Sequence, residues 1–169
     1  MNIIRKINPG DWNQIAMIQD LCYPAKAREE IETLQCHWRE APDFCFVAAE
    51  SNHVIAYLLA HPWKKRVQPP VNSHYSLAGL VPDSVFIHDI ALHQNARGKG
   101  LAGLLVAKLF DVAAKNGYCH FSLISVQGTA GFWQRLGFDV CTTVPVDFFS
   151  NIKNHYPGGG YFYMEKQLK

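Results

Sequence analysis

Very little in this chain points to a large charged partner. Charged residues make up only 18% of it, and 16 Lys+Arg against 14 Asp+Glu leave a formal net charge of +2. That balance is too mild to draw in a nucleic-acid backbone. The basic residues are scattered, and the one tight cluster, Lys64-Lys65-Arg66, is more often a solvated loop than a binding patch. No stretch approaches the roughly 18 apolar residues that a bilayer span needs, so no membrane partner is expected. Met1-Asn2-Ile3-Ile4-Arg5-Lys6 lacks the apolar run and cleavage site of a signal peptide. The five cysteines (Cys22, Cys36, Cys45, Cys119, Cys141) are odd in number, widely spaced and form no Cys-x-x-Cys. That pattern suits reduced thiols in a cytoplasmic protein better than a disulfide frame or a zinc site.

What is present is the composition of one folded domain. With 169 residues, 49% of them apolar, the chain can bury a single core, and one domain over residues 1–169 is expected. Residues 3–7 read as an opening strand, broken by Asn8-Pro9-Gly10. Asp11 with Gln14 resembles a capping box, and Trp12, Ile15, Ile18 and Cys22 give a helical apolar face. A second helix is expected to start at Pro24, to carry Ile31, Leu34 and Trp38 on one face, and to stop at Ala41-Pro42. Residues 44–49 and 54–60 read as a hairpin about the polar turn Glu50-Ser51-Asn52-His53. Residues 61–82, with Pro62, Pro69, Pro70 and Pro82, read as a loop long enough to be functional, a natural substrate-side flap.

The run Ser-Val-Phe-Ile-His-Asp-Ile-Ala-Leu at 84–92 reads as a central strand. Residues 101–115 turn helical, with Lys108, Asp111 and Lys115 on one stripe and nearly everything else apolar, so that helix should be largely buried. A strand at 118–126, a short helix at 129–136 and strands at 138–146 and 161–167 complete the chain. The order β-α-α-β-β-β-α-β-α-β-β implies a single-domain α/β (α+β) fold, a mixed sheet with helices on both faces.

Gly98-Lys99-Gly100-Leu101-Ala102-Gly103 spells G-x-G-x-x-G, the fingerprint of a dinucleotide site. That site needs an acidic residue about 20 positions on to bind the ribose. Between Asp111 and Asp139 there is no Asp or Glu, and the loop follows the fourth expected strand rather than the first. A Walker phosphate loop fails as well, because Lys99 is followed by Gly100 instead of Ser or Thr. What remains is a glycine turn opening a helix, flanked by Arg97 and Lys99: an anion site, or a tight turn that merely starts the helix.

Two motifs weigh on that choice. Arg97, Gly100 and Ala102 fill the three specified places of Arg/Gln-x-x-Gly-x-Gly/Ala, and Phe132-Trp133-Gln134-Arg135-Leu136-Gly137-Phe138 gives an aromatic pair followed by Leu-Gly-Phe. One helix, one strand and one short helix separate them. In both motifs and in element order the chain resembles the GNAT superfamily of N-acetyltransferases, most strongly over residues 44–138. A weaker likeness, the His in strand 84–92, is to the arylalkylamine N-acetyltransferases, which carry a second His where this chain has Phe86.

The resemblance implies a mostly antiparallel GNAT-like sheet and acetyl-CoA as co-substrate, with no metal. Ile90, Ala91 and Leu92 would offer backbone groups to the pantetheine arm, one of them polarising the thioester carbonyl. Arg97, Gly98, Lys99, Gly100, Leu101 and Ala102 would wrap the pyrophosphate, and Phe132 and Trp133 would flank the thiol. His88 is the first candidate for the base, since its pKa lies near working pH; a core histidine bonded to backbone is the alternative. Asp89 points to the opposite side in a regular strand and is the reserve base, reachable if the strand bulges.

Trp133 stands where the family often has a Tyr that protonates the departing thiolate, which an indole does not do. Tyr118, Ser125, Cys141 and Tyr161 are conceivable substitutes, or none is needed. Cys119 and Cys141 read as core, and the remaining histidines show no metal-ligand spacing. The implied reaction is acetyl transfer to a primary amine of a small molecule or peptide. A catalytically weak CoA-binding sensor is the alternative, and a homodimer is left open.

Overall fold

The chain runs β1 (Asn2–Lys6), α1 (Trp12–Cys22), α2 (Ile31–Glu40), β2 (Phe46–Glu50), β3 (His53–Trp63), β4 (Ser84–Leu92), α3 (Leu101–Lys115), β5 (His120–Ser125), α4 (Ala130–Arg135), β6 (Asp139–Val140) and β7 (Phe162–Gln167). This order, the expected one, comes from a computed structural model that describes residues 2–169. The strands form one seven-stranded sheet, β1-β2-β3-β4-β5-β7-β6. Only β4 and β5 run parallel, so the sheet is mixed and mostly antiparallel. Ser51 and Asn52, both at positive φ, join β2 to β3 in a two-residue hairpin turn whose twist matches that of the strands.

Each face of the sheet carries its own core. On one side α3 and α4 lay Leu101, Leu105, Val106, Leu109 and Trp133 over Ala48, Leu58, Val85, Ile87 and Phe121. On the other, α1 and α2 bring Trp12, Ile15, Ile18 and Leu34 onto Val47, Tyr57 and Leu59. Covered on both sides, β3 is buried along nearly its whole length. Each fully buried Leu, Ile or Val contributes about 1.5–3 kcal/mol relative to exposure. The helix α3 is less buried than its composition suggests: five of its residues form the buried stripe, while Leu104 is 54% exposed.

Three local expectations are corrected. Asp11 does not cap α1 through Gln14. Its carboxylate accepts the Asn8 N–H at 2.7 Å and takes the Arg5 guanidinium at 2.6 and 2.8 Å, while Gln14 Oε1 accepts the Val54 N–H of β3 at 2.8 Å. Pro24 starts only a single 3-10 turn at Ala25–Ala27. The Gln19 side chain then takes both backbone groups of Glu29, at 2.9 and 3.0 Å, which holds that residue outside the helix until Ile31. The strand expected at 138–146 shrinks to Asp139–Val140, because beyond Cys141 the chain leaves β7 and Pro145 has no N–H to pair.

Candidate active site

Strand β4 carries a bulge at its centre. Its pairing with β3 steps from Leu59 opposite Asp89 to Ala60 opposite Ile87, so His88 is the extra residue. In a regular strand His88 and Asp89 would face opposite ways. The bulge turns both toward the α1–α2 side, where His88 meets Glu29 and Asp89 meets Tyr23 and Tyr57. On its other edge β4 pairs with β5 only from Val85 to Ile87, opposite Phe121 to Leu123. Past that point the two strands part, and a cavity of about 550 Å³ opens between them.

One end of the cavity is closed by the glycine loop. Gly98 and Gly100 adopt φ of +74° and +72°, values at which an L side chain is strained, and Gly100 is the N-cap of the 15-residue helix α3. A long helix N-terminus with positive-φ glycines before it points backbone N–H groups outward, which fits a pyrophosphate. The exposed Arg97 adds charge there, its guanidinium 3.9 Å from Cys22 Sγ.

The other end is a packed ionisable cluster. His88 Nε2 lies 2.6 Å from Glu29 Oε1, with both side chains nearly buried. Burial alone would pull the His88 pKa down, but the Glu29 charge and hydrogen bond outweigh it and raise His88 above its ordinary value. Glu29, which burial would push up, is held at about 2 by the same pair. Asp89 accepts from Tyr23 Oη at 2.5 Å and Tyr57 Oη at 2.6 Å. Burial still raises its pKa, against the lowering effect of those two bonds. His37 is lowered to about 4 by burial and by the neighbouring His88, and His61 well below its usual value chiefly by burial. Both are therefore neutral walls.

Glu29, His37 and His88 each offer a ligand atom, all within 4.8 Å of one another. The 2.6 Å contact between Glu29 and His88 is, however, a direct hydrogen bond. Two zinc ligands at tetrahedral angles would stand roughly 3.3 Å apart. As they stand, the residues form a hydrogen-bonded pair.

His88, Asp89, Ile90, Ala91, Leu92, Arg97, Gly98, Ala102, Phe132 and Trp133 all line the one cavity. Lys99 and Gly100 do not line it, and Leu101 is buried in the core under the sheet. Trp133 is 4% exposed and packs edge-on against Phe132 and Phe138. Gly137 turns the chain at φ +84° so that Phe138 can enter that core.

None of Tyr118, Ser125, Cys141 and Tyr161 lines the cavity, whereas Tyr156 does. Burial, partly offset by a hydrogen bond to Gln127, moves Tyr156 up to about 12. Sequence reasoning also missed Tyr23 and Glu29, which reach the site from the α1–α2 connection, and Ile152 and His155, from the loop before β7. The one available signal was the flap: Gln68, Pro69 and Val71 of the expected loop do line the cavity.

The fold recurs widely among solved structures. Ard1 from Thermoplasma volcanium superposes with a TM-score of 0.73 at 13% identity, covering 99% of this chain and 98% of that one. Arabidopsis thaliana Naa50, in complex with the bisubstrate analogue CoA-Ac-MVNAL, gives 0.70 at 15%, covering 99% of each chain. An agmatine N-acetyltransferase gives 0.71 at 19%, covering 99% of this chain and 100% of that one. Among curated proteins none matches the sequence. Residues 12–138, which hold the bulged strand, the glycine loop and the aromatic motif, match the Acetyltransferase (GNAT) family. The chain is a member of that family.

Proposed function

We propose that this chain is one N-acetyltransferase domain that moves an acetyl group from acetyl-CoA directly to a primary amine of a small molecule or peptide. The observation that carries the reading is a shared cavity: the Arg97–Gly98 loop and the His88 cluster line the same space, where β4 and β5 part. A phosphate-binding loop at one end and an ionisable pair at the other suit a long anionic donor meeting an amine in the middle. Two relatives in the fold act on, or are bound by, such acceptors, a peptide analogue on Naa50 and agmatine on its acetyltransferase.

An aliphatic amine enters mostly protonated, with a pKa of about 10.4. In the proposed reaction His88 takes one proton from the ammonium, which frees the nitrogen lone pair. That pair forms the C–N bond at the thioester carbonyl, while a backbone N–H of residues 90–92, on the edge of β4 that has no β5 partner, would face the developing oxyanion. The C–S bond then breaks with its electrons on sulfur, and the amide nitrogen sheds its second proton, which balances the thiolate. Tyr156 lines the cavity and, unlike Tyr23, is not held by Asp89; it can give its hydroxyl proton to the sulfur and take up the one the nitrogen sheds, in place of the tyrosine that the family often has at Trp133. The tyrosine hydroxyls on Asp89 favour His88 over it as the base.

Trp133 favours one competing reading, a CoA-binding sensor with weak or no turnover. Thiol release from acetyl-CoA against arylalkylamines, polyamines, amino acids, aminoglycosides and short peptides separates the two. Turnover with one class establishes the enzyme and names its acceptor, and tight acetyl-CoA binding with no turnover on any amine sinks the transferase reading.

A further inference from the structure

Glu29 is held through both its carboxylate and its backbone. Oε2 accepts the Asn72 N–H of the flap at 2.9 Å. The Glu29 N–H donates to Gln19 Oε1 at 2.9 Å and its carbonyl accepts from Gln19 Nε2 at 3.0 Å. Oε1 is thereby fixed 2.6 Å from His88 Nε2. An ionised carboxylate only accepts, so the proton in that contact belongs to Nε2. The other ring nitrogen, Nδ1, is buried and has no partner.

Building on His88 as the base, we propose that Glu29 is a positioning residue for the transfer: by holding Nε2–H it fixes the tautomer and orientation of His88 and leaves Nδ1 as the ring nitrogen free to take the proton of the acceptor ammonium, through one water where the buried atom is not reached directly. The imidazolium formed in that step stays paired with Glu29, and the proton leaves it for solvent when product departs.

The surroundings of the ring support this assignment. His37 of α2 meets it edge-on at 4.5 Å between centroids, and His61 of β3 stands at 6.0 Å. Tyr75 of the flap stacks on His37, at 4.3 Å. His37 Nε2 faces the Ser73 carbonyl at 3.0 Å, and His61 Nδ1 faces that of Pro62 at 3.1 Å. Each of those carbonyls only accepts, so both rings are committed as donors through one nitrogen. Both are also neutral near pH 7, because burial depresses them. The charges that act on His88 are the carboxylates Glu29 and Asp89. Of these, Glu29 is the one that touches it, since both Asp89 oxygens are occupied by Tyr23 and Tyr57.

Imidazole 15N NMR on the free protein tests the tautomer without any acceptor. The expected spectrum has His88 protonated at Nε2 and bare at Nδ1 once the ring is neutral; the reverse tautomer overturns the proposal. The second arm is Glu29→Gln, which keeps an acceptor oxygen and removes the charge. Its His88 titration and the acid limb of its kcat/KM profile should both move to lower pH, with a plateau about tenfold lower.

Glu29→Ala, which removes acceptor and charge together, should lose roughly 100-fold. A merely structural Glu29, tying the flap to the α1–α2 connection through Asn72, would lower Tm and leave titration and limb in place; that result overturns the proposal. Should His88→Ala keep wild-type turnover, the base itself is misassigned. Should it be inactive while Glu29→Gln leaves the limb unmoved, only the role of Glu29 falls.

Discussion

The two ends of the cavity are built by different physics. At the glycine loop one contiguous segment presents backbone: Gly98 and Gly100 turn at positive φ, and the helix N-terminus follows. Almost no side chain is committed there, and Lys99 stands in solvent. At the far end Tyr23, Glu29, His37, Tyr57, His88 and Asp89 come from four separate segments and act through side chains that shift one another's protonation. Backbone recognition tolerates a change of side chain and fails on a change of φ. A coupled side-chain cluster fails when any one charge is removed.

The largest expected effect tests the coupled end. His88→Ala should lower kcat about 10²- to 10⁴-fold while leaving acetyl-CoA affinity within twofold, because the ring is held by Glu29 and the loop acts through its own backbone. The wild-type pH profile carries the same signature. The base works when neutral, and its pKa is raised above the ordinary 6.5, first against burial and then by Glu29. Activity should therefore rise with pH through a limb lying above 6.5 and level off beyond it. A limb below 6.5, or equal losses of turnover and cofactor binding in His88→Ala, would erase the distinction between the ends.

Trp133→Ala probes the wall between them. The indole is 4% exposed and wedged between Phe132 and Phe138. Its removal leaves a cavity that should cost about 3–5 kcal/mol, read as a loss of Tm in thermal unfolding. If Trp133 were chiefly a catalytic group, turnover would collapse at unchanged Tm.

How legible each end was in the sequence follows from the same contrast. The loop is local: Arg97, Gly100 and Ala102 sit within six positions, and glycine spacing encodes φ directly. Regular elements with strong periodicity, such as β4 and α3, were legible for the same reason. The His88 end is assembled by tertiary contacts, and no spacing in the chain links Glu29 to His88, 59 residues apart. Even the strand parity that separated His88 from Asp89 was undone by one extra residue, which pairing with β3 reveals and composition does not. The helix expected from Pro24 failed similarly, because a glutamine side chain ten residues away claimed the Glu29 backbone.

A smaller effect is expected from Gly98→Val. A Cβ there meets nothing within 4 Å, so the whole penalty is conformational. An L residue held at φ +74° costs about 1–2 kcal/mol, which should appear as roughly a tenfold weaker Kd for acetyl-CoA with kcat little changed. Losses in kcat as large as those of His88→Ala would mean that the loop also shapes the His88 end.

The smallest effect is the sharpest test of backbone recognition. Lys99 is exposed, does not line the cavity and has no ion-pair partner among the described residues. A solvated charge of this kind contributes through a screened field, worth less than about 1 kcal/mol. Lys99→Ala should therefore weaken acetyl-CoA binding by about threefold or less at physiological salt, and the difference should vanish as salt is raised. A tenfold or salt-insensitive loss would mean that the lysine folds onto the bound pyrophosphate, and the loop would then hold its anion by side chain as much as by backbone.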